Sequence, residues 1–564
     1  KMPFHVRPRS PGGIVIFLVA TVVLNLVKKV VHDTRSKHPA PAHEENPSEG
    51  VLPKSRQSDR VLSLENMNPH LREMEYAVRG EVPLRAEEIR AELAAAEAEG
   101  EPSPYPFTKL LPCNIGNPQA VGQASISFYR QVLSLVDSPQ LLAASSAGLR
   151  KLIPRDVAER AQELVEAAGS TGAYSHSQGM EVVRKNVCAF IEARDDVPGC
   201  DPANIFLLNG ASAGIQSVLT TLISSPEDAI LVPVPQYPIY SALIKLLGGN
   251  MVSYYLDEDK NWGLTVEELK RSVKEARDQG LKPRAMVIIN PGNPTGQVLS
   301  HEDLQSVVRF CAEEGLLLLA DEVYQENVYA DDVEFISARR VASELASQDE
   351  NPVDVELVSF HSTSKGLIGE CGRRGGYMEL WNIDPEVHAQ IYKLQSSQLC
   401  SNLDGQVMTD AMVRPPALSD PSYMLFAKER GAIFDSLRRK AEVLAEKLNE
   451  IDGVSTNAPQ GAMYAFPRID LPAGAIEAAE AKGMAPDLMY CLSLLEATGI
   501  VTVPGSGFGQ KEGEWHFRIT FLPPEDELYA ALDAFKAHHE DFVAKYTRVE
   551  VQDEIEAQDE TVLD

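Results

Sequence analysis

Five short apolar segments in the middle of the chain each run into residues that can do chemistry. IFLLN (205–209) is followed by GASAGI, a small-residue turn that opens a helix and offers backbone N–H groups to an anion. AILVPV (229–234) is followed by PQYPIY, which sets Tyr237 between two prolines. AMVIIN (285–290) runs into PGNPTGQ, a rigid turn that exposes Asn293. LLLLAD (316–321) ends on Asp321, with Glu322, Val323 and Tyr324 next. ELVSFHS (356–362) leads into TSKGLIGECGRRGGY, with Lys365 among hydroxyls and Arg373 and Arg374 close behind. Each residue alone has an ordinary reading: a strand-end Asp as a helix cap, a lone Lys as solvated, a small-residue turn as close helix–strand packing. Gathered at one sheet edge, an acid, an amine, an arginine, an aromatic and an amide outline one pocket.

The elements that must position them follow from the pattern between. These segments, with MVSYYL (251–256), alternate with the helix-like stretches AGIQSVLTTLI, TVEELKRSVKEARDQ and SHEDLQSVVRFCAEE. Thr265 and Glu268 are spaced for a capping box, and Gly280 follows that helix end. Continuous apolar strands separated by helices predict an α/β fold, a large domain with a mostly parallel sheet covered on both faces. Ligands of such sheets sit at the carboxyl ends of the strands, where the residues above fall. Later, in WHFRITFL, Trp515, Phe517, Ile519 and Phe521 alternate onto one face of a half-buried strand. Arg518 then points the other way, to a cleft or to the surface.

The 564 residues are 44% hydrophobic, enough for a large core, which excludes global disorder, collagen and coiled coil. With 52 basic against 82 acidic residues the net charge is -30, which opposes nucleic-acid binding. The seven cysteines are scattered and form no C-x-x-C pair, so neither a disulfide framework nor a structural zinc site fits, and a reducing compartment does. No metal ligand set is expected; the His538–His539 pair reads as solvated, and the helices near 425–450 and 476–498 as amphipathic surface elements. Residues 1–32 carry Lys1, Arg7, Arg9, Lys28 and Lys29 and no acid. The apolar run Ile14 to Val27 covers 14 positions, short of the ~18 of a membrane span. A mitochondrial presequence fits best, with an anchor or a segment without a role as alternatives. Membrane contact is expected only through residues 14–27. Residues 33–60 read as a linker, and the seven acids of 549–564 as a disordered, solvated tail whose TVLD ending is not a peroxisomal signal.

The ordered set GASAGI, PQYP, NPGNPTG, ADEVY and S-x-S-K followed by R-G-G-Y resembles the fold-type I pyridoxal-phosphate-dependent aminotransferases. NIGNPQ, GAYSHSQG, LADEVYQENVY, GECGRRGGY, QGAMYAFPR, VPGSGFGQ and FRITFLPP are similar, more narrowly, to the alanine aminotransferase subgroup. The likeness runs from about Val61 to about Tyr546. It implies an arm and part of a small domain at 61–150, a large cofactor domain at 151–425 and the rest of a small α/β domain at 426–548. It implies pyridoxal 5′-phosphate as cofactor, carried by Lys365, with Asp321 at the ring nitrogen and Tyr237 stacked on the ring. Arg374, rather than its neighbour Arg373, would pair with the phosphate, beside Ser362, Ser364, Ala211 and Ser212. Asn293 and Tyr324 would meet the phenolic oxygen. Tyr174 would reach the phosphate of a partner subunit, implying a homodimer. Arg518, with Gly116 and Asn293, would take the substrate carboxylate. The activity implied is alanine:2-oxoglutarate transamination, giving pyruvate and glutamate, with glutamate:glyoxylate transamination as the alternative. A mitochondrial location is implied before a cytoplasmic one. Two other classes fit less well. One is the aminocyclopropane-carboxylate synthase type of lyase, which GECGRRGGY and QGAMYAFPR oppose. The other is a transcription regulator with a borrowed aminotransferase domain, which needs a basic helix-turn-helix that the Pro-rich 33–60 does not supply.

Overall fold

The computed structural model describes residues 62–76, 80–143 and 152–562, with side chains described to residue 547. The readings of 1–60, including the run 14–27, lie outside these residues. Residues Lys1–Asn66 and Met67–Asp564 cluster as two units; of the first, only a short turn at 62–66 is described.

The second unit is organised by a seven-stranded sheet. Its strands are β1 (Ile205–Leu207), β2 (Asp228–Val234), β3 (Asn250–Tyr255), β4 (Lys282–Ile289), β5 (Leu317–Asp321), β6 (Leu357–Ser362) and β7 (Gly376–Trp381). The order is β1-β7-β6-β5-β4-β2-β3. Strands β2 to β6 pair in parallel, while β7 runs antiparallel to both β6 and β1. The mostly parallel sheet is therefore as expected, with β7 added. β7 lacks a continuous apolar pattern because it carries Glu379, whose carboxylate is buried against Arg339 at 3.0 Å.

Alternation along the strands feeds two cores. Ala285, Val287 and Ile289 of β4 face the helices Ala211–Leu222 (α1) and Ile239–Leu246 (α2). Met286 and Ile288 face Val266–Asp278 (α3) and His301–Glu314 (α4). Burial on both faces is why these strands read as unbroken apolar runs. Thr265 does cap α3, accepting from the Glu268 N–H, but the box is not reciprocal. The Glu268 carboxylate turns to the Tyr255 N–H at 2.8 Å and to Arg271 instead. The complete box is Ser300 with Asp303 at the start of α4.

Three surface expectations are corrected. Helices Tyr423–Asn449 and Pro486–Thr498 bury Leu437, Leu444, Tyr490, Cys491, Leu494 and Leu495 in a further core. His539 is buried, bonded to the Tyr490 hydroxyl and donating to the Asp452 carbonyl, so it is not solvated. The last helix runs Glu525–Val562, so the acidic tail continues it; Glu, Gln and Ala at 550–560 are good helix formers. No helix among the described residues is long and apolar enough to cross a membrane.

Candidate active site

A cavity of about 270 Å³ opens at the carboxyl ends of the strands. Into it come Ala211 and Ser212 after β1, Tyr237 after β2, Asn293 after β4, Asp321 and Tyr324 from β5 onward, and Ser362, Ser364 and Lys365 after β6. Arg374, Gly116 and Arg518 also line it. Of the residues picked out from sequence, only Tyr174 stands apart; its side chain is 77% exposed and does not line the cavity.

One corner is built for an anion. Helix α1 starts at Ala211 with no side-chain cap, so its first N–H groups face the cavity mouth unclaimed by a side chain. Arg374 donates to the Ser364 hydroxyl and the Ser212 hydroxyl, each at 3.3 Å, and to the Asn209 carbonyl at 2.9 Å. Gly210 allows this, having φ +80°, and a Cβ there would lie 2.3 Å from an Arg374 nitrogen. Arg373 instead pairs with Asp404 at 3.1 Å. The left-handed backbone of Arg374, φ 54°, turns the two neighbours to different sides. Of the two arginines, Arg374 lines the cavity, and Arg373 is not among its lining residues.

Asp321 ends β5 buried. One carboxylate oxygen accepts from the Tyr240 hydroxyl at 3.0 Å, and the other, Oδ1, has no hydrogen-bond partner among the described residues. Burial pushes the carboxyl up to about 6, outweighing the Tyr240 hydrogen bond and the Lys365 charge. The Lys365 amine donates to the Gly116 carbonyl at 2.9 Å. Gly116 cannot carry a side chain here, since a Cβ would sit 1.9 Å from the Tyr464 hydroxyl and 3.0 Å from Lys365 Nζ.

Arg518 lies on a strand, Phe517–Thr520, that is buried on both faces rather than half-buried. Its guanidinium lies 4.2 Å from the Tyr464 ring centre and 4.7 Å from that of Phe508. It donates to Asn293 Oδ1 at 3.1 Å and to the Asn114 carbonyl. Both partners are neutral oxygens, and a buried guanidinium so placed favours an added carboxylate. Asn293 in turn donates to the Tyr324 hydroxyl at 3.5 Å.

Sequence reasoning missed three tyrosines. Tyr464 touches Arg518 and stands edge-on to Tyr324 at 6.1 Å. Its burial would raise the phenol, but the Lys365 and Arg518 charges and a hydrogen bond from Tyr324 hold it below the usual range. Tyr76 bonds the Tyr237 hydroxyl at 3.0 Å, and Tyr240 holds Asp321. Tyr464 sits inside QGAMYAFPR, Tyr240 inside PQYPIY and Tyr76 inside LSLENMNPHLREMEYAVRGEVP, a stretch that also fits the alanine aminotransferase subgroup, so a motif signal existed for all three.

The arrangement can hold a phosphate, a ring with a protonatable nitrogen, an amine-reactive carbon and a carboxylate within one cavity. The family described as aminotransferase class I and II matches residues 144–535. A probable mitochondrial alanine aminotransferase of Dictyostelium discoideum is 48% identical over 86% of this chain and 90% of its own length. Glutamate–glyoxylate aminotransferase 1 of Arabidopsis thaliana is 48% identical over 86% of this chain and 98% of its own. Among solved structures, an aminotransferase from Escherichia coli superposes with a TM-score of 0.64 at 25% identity, covering 84% of this chain and 98% of that one. The family and its fold imply pyridoxal phosphate and small-molecule substrates. On this cavity and these matches, the chain belongs to the class I and II aminotransferase family.

Proposed function

We propose that the enzyme moves the amino group of L-alanine to 2-oxoglutarate, giving pyruvate and L-glutamate in two half-reactions at one site, with pyridoxal 5′-phosphate as cofactor. The observation that carries this reading is Asp321 Oδ1, buried and without a hydrogen-bond donor among the described residues, in the cavity that also holds Lys365, Arg374 and Arg518. A buried carboxylate oxygen left unpaired is costly, and a protonated ring nitrogen is a donor that offsets the cost. When bound, the cofactor supplies an electron sink for the pair left as the substrate α-carbon loses its proton.

The chain's own residues divide the remaining work. Asp321 keeps the ring nitrogen protonated. Arg374, Ser212, Ser362, Ser364 and the first N–H groups of α1 hold the phosphate. Tyr237 would stack on the ring, and Asn293 and Tyr324 would donate to its phenolic oxygen. Arg518 grips the substrate α-carboxylate with two parallel N–H donors, oriented by Asn293 and flanked by Gly116. The Lys365 amine, held near Gly116, carries the proton between the substrate α-carbon and the cofactor carbon.

The Arabidopsis relative is named for glyoxylate, which makes glyoxylate the second acceptor to test. Purified enzyme given alanine with 2-oxoglutarate is expected to form pyruvate faster than with glyoxylate. The reverse order replaces this reading with the glyoxylate one, and no pyruvate from either acceptor sinks both.

The site is completed in a homodimer, with Tyr174 reaching the partner's phosphate; its exposure away from its own cavity supports this. Mixing Lys365→Ala subunits with Tyr174→Phe subunits should restore activity above either parent, because one site of each hybrid then holds both residues. A monomer by light scattering, or hybrids no better than their parents, rejects the shared site. We also propose a mitochondrial location. The Dictyostelium relative bears that name, and residues 1–32 are basic and free of acid. A reporter fused to residues 1–60 should enter mitochondria, and a diffuse cytosolic reporter refutes it.

A further inference from the structure

Two cysteines outside the cavity meet with their sulfurs 2.6 Å apart. Cys188 is buried on the helix Glu181–Asp195 (Cys188 is 5% exposed), and Cys200 is half-buried in the loop that leads into β1. Two other thiols meet different groups: Cys311 lies against Met286 Sδ at 3.9 Å and Cys371 donates to the Ser364 carbonyl at 2.8 Å. The backbone around the pair is already clamped. Glu192 of the same helix accepts from the Gly199 N–H at 2.8 Å and the Cys200 N–H at 3.0 Å. Arg184 donates to the Pro202 carbonyl at 2.6 Å. The helix and the loop are thus fixed with the two thiols facing each other, and closing a bond between them costs little new order.

We propose that Cys188 and Cys200 form a thiol pair that closes to a disulfide when the enzyme meets a low-molecular-weight disulfide such as oxidised glutathione. The half-buried Cys200 reacts first. Its sulfur attacks one sulfur of oxidised glutathione, forming a mixed disulfide and releasing one reduced glutathione. The Cys200 proton passes to Glu379, whose Oε1 lies 3.6 Å from the sulfur, and from there to the departing glutathione thiolate. Cys188 then attacks the Cys200 sulfur, the internal disulfide forms, and the second glutathione leaves with the Cys188 proton. Two thiols are oxidised and one glutathione disulfide is reduced to two thiols. The contact with Cys188, burial and the Glu379 carboxylate hold the Cys200 thiol well above its ordinary range, so the first step is slow. The bond would tie the helix to the loop ahead of β1, the strand that runs on to the Gly210–Ser212 turn.

Full-chain enzyme incubated with oxidised glutathione, then unfolded and titrated for thiols, tests this. The seven thiols of the chain should fall by two, with a mass loss of about 2 Da and a peptide joining residues 188 and 200. Cys200→Ser should keep all its thiols, and Cys188→Ser should hold one glutathione on Cys200. Seven thiols retained, a stable glutathione adduct on the unsubstituted enzyme, or a bond to any other cysteine overturns the proposal.

Discussion

Replacing Lys365 by Ala should abolish transamination, lowering kcat by at least ~10⁴-fold, the upper end of what a positioned acid–base group contributes. The amine is in the cavity, 2.9 Å from the Gly116 carbonyl, and it is the only lysine among the described residues that line the cavity. On the proposed mechanism, losing it removes both the attachment of the cofactor and the base that carries the proton. The cofactor should still bind, because the anion corner of Arg374, Ser212, Ser364 and the α1 N-terminus does not depend on Lys365. Absorbance after dialysis separates the two effects: the variant should retain pyridoxal phosphate but show the free aldehyde's spectrum. Added alkylamine should recover part of the rate. Full activity in Lys365→Ala would remove this lysine from the mechanism.

How much of this was readable beforehand depended on where each residue's partners lie. Residues at strand exits were legible, since an apolar run followed by turn chemistry fixes both the strand and the direction in which it delivers its last side chains. Asp321, Asn293, Lys365 and Ser212 all arrived that way. Tyr76 and Tyr464 come from segments far from the sheet strands, and only tertiary packing brings them to Tyr237 and Arg518. β7 was hidden because Glu379 breaks its apolar run, and its charge is offset by Arg339 from a different helix. The same blindness to distant partners misplaced His539, whose polarity suggests solvent until Tyr490 and Asp452 are placed against it. Arg373 and Arg374 are chemically identical in sequence; a single left-handed backbone conformation separates them.

Asp321→Asn should be the second most damaging change, and it reports on two states of the site. With cofactor bound, the amide cannot hold a proton on the ring nitrogen by charge. Removing one partner of a buried charge pair costs about 3–5 kcal/mol, so kcat should fall by roughly 10² to 10⁴-fold. Cofactor retention should weaken less, because the phosphate contacts remain. Near-normal turnover would show that another group protonates the ring. The cofactor-free protein gives an independent readout, in stability rather than rate. Burial lifts the Asp321 carboxyl from 3.8 to about 6. A carboxyl whose folded value is raised holds its proton more tightly folded than unfolded. Its contribution is therefore fully present below the unfolded value and is lost as pH rises through 6. The loss is on the order of 3 kcal/mol between pH 3.8 and 6, from the 2.2-unit difference. Cofactor-free wild type should thus lose stability relative to cofactor-free Asp321→Asn over that window, measured by denaturant midpoints at fixed salt. Saturating pyridoxal phosphate should shrink the wild-type loss, since a ring cation beside Asp321 favours the ionised carboxylate. Parallel pH profiles for the two cofactor-free proteins would show that burial does not raise the Asp321 carboxyl.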